Sequence, residues 1–342
     1  MAGLAAGRSR ARGAAFTLSE LEEAAALLHG VLPPTPQICW PLLSARCGAE
    51  VWVKHENHTP IGAFKLRGGV VYMDSLRRGE PGIAGVITAT RGNHGQSVGF
   101  AARRAGIKAV IVVPHDNSVE KNRAMKAFGV ELIEHGHDFQ AAYEHAVSLA
   151  AERGLHMLQS YHPWLVKGVA SYSLEFLRAA PDLDTVYVPI GLGSGISGMI
   201  LARDALGLGT KIAGVVAEGA PTYALSFAAG KPVSTNAADT IADGLACRVP
   251  VPEAVALINR SAERIVTVTE DEIKAAMRHY FTDTHNVAEG AGAAPLAALL
   301  KERGRMRGKR VGLVLSGGNI DRALFAEVLA GADGAAEEGG EA

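Results

Sequence analysis

Cysteine is scarce in this chain of 342 residues, and the three present, Cys39, Cys47 and Cys247, form neither a CxxC pair nor a disulfide ladder. That excludes a disulfide scaffold and points to a reducing, cytoplasmic setting. No apolar run is long enough to cross a bilayer, so no membrane partner is expected. Aromatic residues make up 6%, the formal net charge is -1, and lysine and arginine are scattered with no basic stripe, which argues against nucleic acid. Internal repeats are absent, and the one low-complexity stretch is the acidic, glycine-rich end. Residues 331 to 342 therefore read as a disordered tail. At the other end Arg8, Arg10 and Arg12 stand among small residues without an acid, yet no long amphipathic pattern follows. Residues 1 to 14 read as a second disordered tail, not as a transit peptide.

What the chain does have is 48% hydrophobic side chains, enough for a large core divided between two domains. Thr17 and Glu20 are spaced as a capping box before Leu21, Ala24, Leu27 and Leu28, which predicts a helix to about Gly30. Pro33, Pro34 and Pro36 break it and forbid regular pairing over residues 31 to 37. Short apolar runs then alternate with helical patterns. One series has strands at 84–90, 108–114, 130–136 and 155–160, and a second has strands at 185–190, 211–218, 264–270 and 309–316. Strands without polar alternation, separated by helices, predict an α/β protein with buried, mainly parallel sheets in two three-layer domains.

Four segments carry chemistry. Residues 54 to 69, KHENHTPIGAFKLRGG, put Lys65 between a strand at 50–56 and a helix at 66–78, with Phe64 beside it. An apolar neighbour desolvates an amine and lowers its pKa toward the range of a nucleophile. Thr90-Arg91-Gly92-Asn93-His94 lies where a strand meets a helix, and free N–H groups at a helix start bind anions such as carboxylates; an ordinary glycine turn is the alternative. Gly191-Leu192-Gly193-Ser194-Gly195 occupies a similar junction and suits a phosphate. There a packing turn is the bland reading, and a dinucleotide fingerprint fails because Gly198 is out of register. Ser316-Gly317-Gly318-Asn319 closes the last strand and by itself is a strand exit.

Taken together these segments resemble the fold type II, tryptophan-synthase-β-like pyridoxal-phosphate enzymes, most closely the serine/threonine dehydratase branch. Lys54, Glu56, Pro60, Gly62, Phe64, Lys65, Arg67 and Gly68 all match that family's lysine motif, and the resemblance covers about residues 20 to 330. It implies a large pyridoxal-phosphate domain from 15–79 plus 161–330, a small inserted domain from 80–160, and a homodimer. It implies that Lys65 holds the cofactor against Phe64, and that the backbone of Gly191, Leu192, Gly193, Ser194 and Gly195 cups its phosphate. Asn93 would touch its 3-hydroxyl and Ser316 would face its ring nitrogen. Thr90, Arg91, Gly92, Asn93 and His94 would bind the substrate carboxylate. A neutral serine at the ring nitrogen tempers the electron sink and favours elimination over transamination.

Arg91 departs from the family, where a serine serves racemases as acid and base. A guanidinium stays protonated, so racemisation is disfavoured, and Arg91 is expected to meet a polar or anionic part of the substrate unless it forms a salt bridge outside the pocket. Glu218 matches a metal-ligating position, but the aspartate often found six residues on is replaced by Ala224. A monovalent or divalent cation there, or none, fits. Asp243 and Glu289 match family segments and read as surface or cap residues. The implied activity is an ammonia-lyase that turns a β-hydroxy amino acid into a 2-oxo acid and ammonia. Threonine, serine, phenylserine-like and hydroxyectoine-derived substrates stay open, as do β-replacement or racemisation on the same fold and a cofactor-free or nucleotide-binding module. The short stretch after the helix at 321–329 sets the expectation of a catabolic enzyme without a regulatory module.

Overall fold

The computed structural model describes residues 16–331, so the expectations for both tails lie outside the described residues apart from Gly331. Its strands are β1 (Gln37–Cys39), β2 (Glu50–His55), β3 (Val86–Ala89), β4 (Ala109–Val113), β5 (Glu131–Glu134), β6 (His156–Met157), β7 (Thr185–Pro189), β8 (Lys211–Ala217), β9 (Arg264–Val268) and β10 (Arg310–Leu315). They form a six-stranded sheet in the order β1-β2-β10-β7-β8-β9 and a four-stranded sheet in the order β5-β4-β3-β6. All pairs are parallel except β1 with β2. The predicted α/β class with mainly parallel sheets is therefore the fold that forms.

Each sheet is buried on both faces, and the period of two shows how. Along β4, Ala109, Ile111 and Val113 enter one core while Val110 and Val112 enter another. Along β10, Val311, Leu313 and Leu315 pack on one side and Val314 on the other. Apolar side chains at every position are what a strand covered by helices on both faces requires. The capping box at Thr17 and Glu20 is present, and the helix Leu18–His29 ends at Gly30. One expectation needs correction. Regular pairing begins at Gln37, directly after the prolines, and Pro36 itself accepts a hydrogen bond from His55 N at 2.9 Å. Proline lacks only the donor, so an edge strand can start against it. Among the described residues no helix is long and apolar enough to cross a membrane.

The helix Lys65–Gly79 is anchored by a buried ionic network at its first turn. Arg67, fully buried, donates from Nε and Nη2 to Glu56 at 2.7 and 2.9 Å, and from Nη1 and Nη2 to Glu175 at 2.7 and 2.9 Å. Lys54 Nζ donates to Glu175 at 2.6 Å and to Thr35 O at 2.8 Å. Burial works against the Glu175 charge, but the Arg67 hydrogen bonds and charge, joined by Lys54, outweigh it and hold the carboxyl at about 2. A carboxyl depressed in the folded state stabilises it above the unfolded pKa, and that contribution is lost as pH falls from about 4.5 to about 2. Glu175→Gln leaves two buried cations undercompensated. It is expected to cost about 3 to 5 kcal/mol at neutral pH and to flatten stability across that acid window, as read by denaturant unfolding at a series of pH values. A loss below roughly 1 kcal/mol, the range of surface pairs, would contradict the anchoring role.

Candidate active site

Four strand ends converge on one cleft. β2 leads through the turn at residues 56–64 to Lys65, β3 to Thr90, β7 to Gly191, and β10 to Ser316. The Lys65 turn is stapled to the end of β10: Phe64 N donates to Ser316 O at 2.9 Å, Gly318 N to Gly62 O at 3.0 Å, and Ala63 forms an antiparallel bridge with Gly317. Through Tyr172, the Phe64 ring also connects the lysine to the glycine turn. Its centroid lies 5.2 Å from Lys65 Nζ, and a side chain on Gly195 would sit 3.8 Å from its edge. Tyr172 packs edge-on against Phe64 and donates to Gly195 O at 3.3 Å. Burial lowers the pKa of Lys65, with the Glu289 charge opposing the shift. Lys65 as a whole is half-buried, and an amine whose pKa is lowered by partial loss of water is more available as a nucleophile and base.

The glycine turn is shaped as an anion cradle. Gly193 has φ 95°, and a Cβ there would fall 2.8 Å from Ala254 Cβ; one on Gly191 would fall 2.2 Å from Gly244 O. Helical hydrogen bonding begins at Ser197, whose N–H donates to Gly193 O at 3.0 Å. Among the described residues the amides of residues 191 to 196 donate to no main-chain carbonyl. Six unpaired donors at the start of the twelve-residue helix Ser194–Ala205 suit a phosphate. A chamber of about 1320 Å³ reaches this turn at Leu192 and Ser197 and runs past Ala89, Leu158 and Tyr161, but Lys65 and Ser316 lie outside its lining.

The second turn repeats the device. Gly92 N donates to Thr90 Oγ1 at 3.1 Å, and the helix Asn93–Ala105 opens with the amides of residues 93 to 95 likewise unpaired with main-chain carbonyls among the described residues. His94 is buried with Nε2 lacking a partner among the described residues; burial, then the charge of Lys65, pushes its pKa down to about 3. It is a neutral hydrogen-bonding group at any physiological pH. Asn93 Nδ2 donates to Glu289 Oε1 and Oε2 at 2.9 and 3.1 Å, and its Oδ1 accepts from Asn319 at 2.8 Å. Arg91 is exposed and makes no hydrogen bond or ion pair among the described residues.

Of the residues singled out from the sequence, Phe64, Lys65 and Ser316 are thus joined by direct contacts, Gly195 enters through Tyr172, and Asn93 through Asn319. Glu218 is not among them. It is exposed at the end of β8, and no group of three or more His, Cys, Asp or Glu among the described residues is arranged to hold a metal ion. Glu289 and Asn319 were underrated by the sequence reading. Glu289 does stand at a helix N-cap, but its carboxylate does not cap the helix and turns to Asn93 instead.

A desolvated lysine beside an aromatic ring and an anion cradle is the equipment of an enzyme that holds an aldehyde cofactor with a phosphate tail. The chain belongs to the pyridoxal-phosphate-dependent enzymes, whose family model matches residues 29–317. It is 33% identical to the L-threonine ammonia-lyase of Thermotoga maritima over 92% of this chain and 78% of that protein. It is 31% identical to the L-threo-3-hydroxyaspartate ammonia-lyase of Saccharomyces cerevisiae over 92% of this chain and 97% of that one. The chain spans 55% of the biosynthetic threonine dehydratase of Salmonella typhimurium, at 35% identity over 82% of this chain. Among solved structures it is similar to the processed threonine deaminase isoform 2 of Solanum lycopersicum, with a TM-score of 0.85, 30% identity, and coverage of 93% and 95%. A pyridoxal 5'-phosphate-dependent aspartate racemase superposes with a TM-score of 0.87, 28% identity, and coverage of 92% and 99%.

Gly193→Ala forces a side chain into the left-handed region and against Ala254. Strain of about 1 to 3 kcal/mol is expected to weaken pyridoxal-phosphate binding about tenfold or more, measured by titrating the visible absorbance of the apoprotein. Gly207→Ala carries a similar backbone cost in open space, at φ 66°, and serves as the control. Equal affinities in the two variants would remove the turn from the phosphate site.

Proposed function

We propose that this protein is a pyridoxal-phosphate-dependent ammonia-lyase that converts a β-hydroxy amino acid to a 2-oxo acid and ammonia by α,β-elimination. The observation that carries the reading is the link from the Lys65 amine beside the Phe64 ring, through Tyr172 packed on that ring, to Gly195 O, because it brings the expected covalent anchor next to the expected phosphate cradle. The ammonia-lyase names of relatives similar over most of this chain support the reaction class. When bound, the cofactor supplies an electron sink for negative charge at the substrate's Cα.

The chain's residues do the rest. The amides of the glycine turn and the helix behind them hold the phosphate. The amides following Gly92 hold the substrate carboxylate, which orients the Cα–H bond toward the lysine side. Phe64 and Tyr172 keep water from Lys65 Nζ, the amine that would hold the cofactor and, when free, would take the Cα proton. The Cβ–O bond breaks, and the hydroxyl leaves as water with the proton that was taken from Cα. The released enamine hydrolyses to a 2-oxo acid and ammonia. Ser316 offers the ring nitrogen a neutral hydroxyl. Arg91 cannot accept a proton from the opposite face, which separates this chain from a racemase.

Arg91 also bears on the substrate. With no ion pair among the described residues to occupy it, the guanidinium beside the carboxylate-binding turn suits a substrate whose side chain is polar or anionic. The purified, cofactor-loaded protein is expected to absorb in the visible and to release oxo acid and ammonia from β-hydroxy amino acids without producing the D-isomer. Lys65→Ala is expected to abolish both. Arg91→Ser is expected to change the ranking of kcat/KM among serine, threonine and 3-hydroxyaspartate by about tenfold or more, the cost of one charge-assisted contact. An unchanged ranking would rule out Arg91 as a specificity residue, and a colourless wild-type protein would overturn the whole reading.

A further inference from the structure

Glu289 has no part in the chemistry above, yet it lies where three elements of the cleft meet. Its main-chain N–H donates to Gly317 O at 3.1 Å, next to Ser316. Its carboxylate receives Asn93 Nδ2 on both oxygens, and Asn93 is held from the other side by Asn319, which also donates to Ile61 O at 2.7 Å. A Cβ on Gly317 would come within 2.7 Å of Glu289 Oε1, so the small residue there makes room for the carboxylate. The charged groups facing it come from separate segments: Lys121 from the helix Val119–Lys126, Asp243 from the short turn before the helix Pro252–Ser261, and Lys65 from its own helix. Lys121 is already paired with Asp243 at 2.6 Å. Lys65 has no such partner among the described residues, and Glu289 is the acid that couples to it.

We infer that Glu289 is a positioning residue with two tasks: it fixes the Asn93 amide, and its carboxylate is the acid that faces Lys65 and favours the charged form of Nζ. This deepens the ammonia-lyase reading and rests on it. The two tasks can be told apart chemically. Glutamine in place of Glu289 keeps an oxygen that accepts from Asn93 but carries no charge. Alanine removes both. Burial drives the lysine toward its neutral form and pushes the Glu289 carboxyl up as well; the carboxylate opposes the first shift, and Lys121, the Asn93 hydrogen bond and Lys65 oppose the second. Without the charge the Nζ proton is held less tightly, so its titration moves to lower pH. His94 stands near Lys65 as well, but its own pKa of about 3 keeps it uncharged through this range.

The test uses the cofactor-loaded full chain and follows the visible band as a function of pH, beside the pH profile of kcat/KM and the affinity for pyridoxal phosphate. Glu289→Gln is expected to keep cofactor affinity within about threefold of the wild type and to shift the spectral titration down by on the order of 1 pH unit. Glu289→Asp, which retains the charge, is expected to restore the titration at least in part. Glu289→Ala is expected to lose cofactor affinity as well. If Glu289→Gln titrates with the wild type, or if Glu289→Asp shifts as far as Glu289→Gln, the assignment is overturned. A wild type with no visible band would instead defeat the underlying function.

Discussion

The structure depends on one buried arginine. Arg67 stands two residues after Lys65, and its five donors are spent on Glu56, Glu175, Ser171 and Thr35. Glu56 leads out of β2, and Glu175 lies on the helix Pro163–Ala179, so one guanidinium ties together the strand before the Lys65 turn, the helix after it and a third segment more than a hundred residues away. Isolated buried charges are costly, and this cluster persists because nearly every polar atom in it has a partner. The helix that begins at Lys65 is thereby held at its start, where a frayed turn would expose the amine. A lysine that must stay dry needs a rigid first turn, and the network provides it.

Around that fixed point the parallel topology does the assembling. In a parallel sheet every strand presents its C-terminal end on the same side, so the turns after β2, β7 and β10 emerge together above the six-stranded sheet. The turn after β3 emerges above the other sheet in the same way. Ligand sites in open α/β folds lie outside the carboxyl ends of strands for this reason. Pairing of β10 with both β2 and β7 puts Ser316 between the lysine turn and the glycine turn. Hydrogen bonds from Phe64 and Gly318 then lock the lysine turn onto it.

Much of this was legible in the sequence because it is local. Apolar runs marked nine of the strands, the capping box marked the first helix, and glycines at strand-to-helix junctions marked both anion turns. Three things were not legible, and each is non-local. β1 follows a proline cluster and owes its existence to β2 beside it. Glu289 sits at a helix start and looks like a cap; its contact with Asn93 spans 196 residues and exists only once two sheets are packed. Asn319 gave no signal beyond a polar residue in a turn, although it carries a hydrogen bond to each side of the cleft. A pattern read along the chain reports which face an element buries, whereas the partner of a single polar side chain is set by tertiary packing.

The choice of donors at the two anion turns has a consequence for the lysine. A phosphate and a carboxylate could each be held by lysines or arginines, but those cations would stand close to Lys65 and drive its proton away. Backbone amides carry only partial charges, fixed in direction by the helix behind them, and they neither titrate nor migrate. Two anions can then be bound within one small cleft while the proton affinity of Lys65 is left to two opposing influences, burial and the carboxylate of Glu289. The full cations nearby are disposed of in other ways: Lys121 is paired with Asp243, Lys54 and Arg67 are buried in their own network, and Arg91 points to no partner at the exposed edge of its turn. The Lys65 amine is thus kept apart from full positive charges at the two turns, which under the proposed function would allow binding strength and basicity to be set independently.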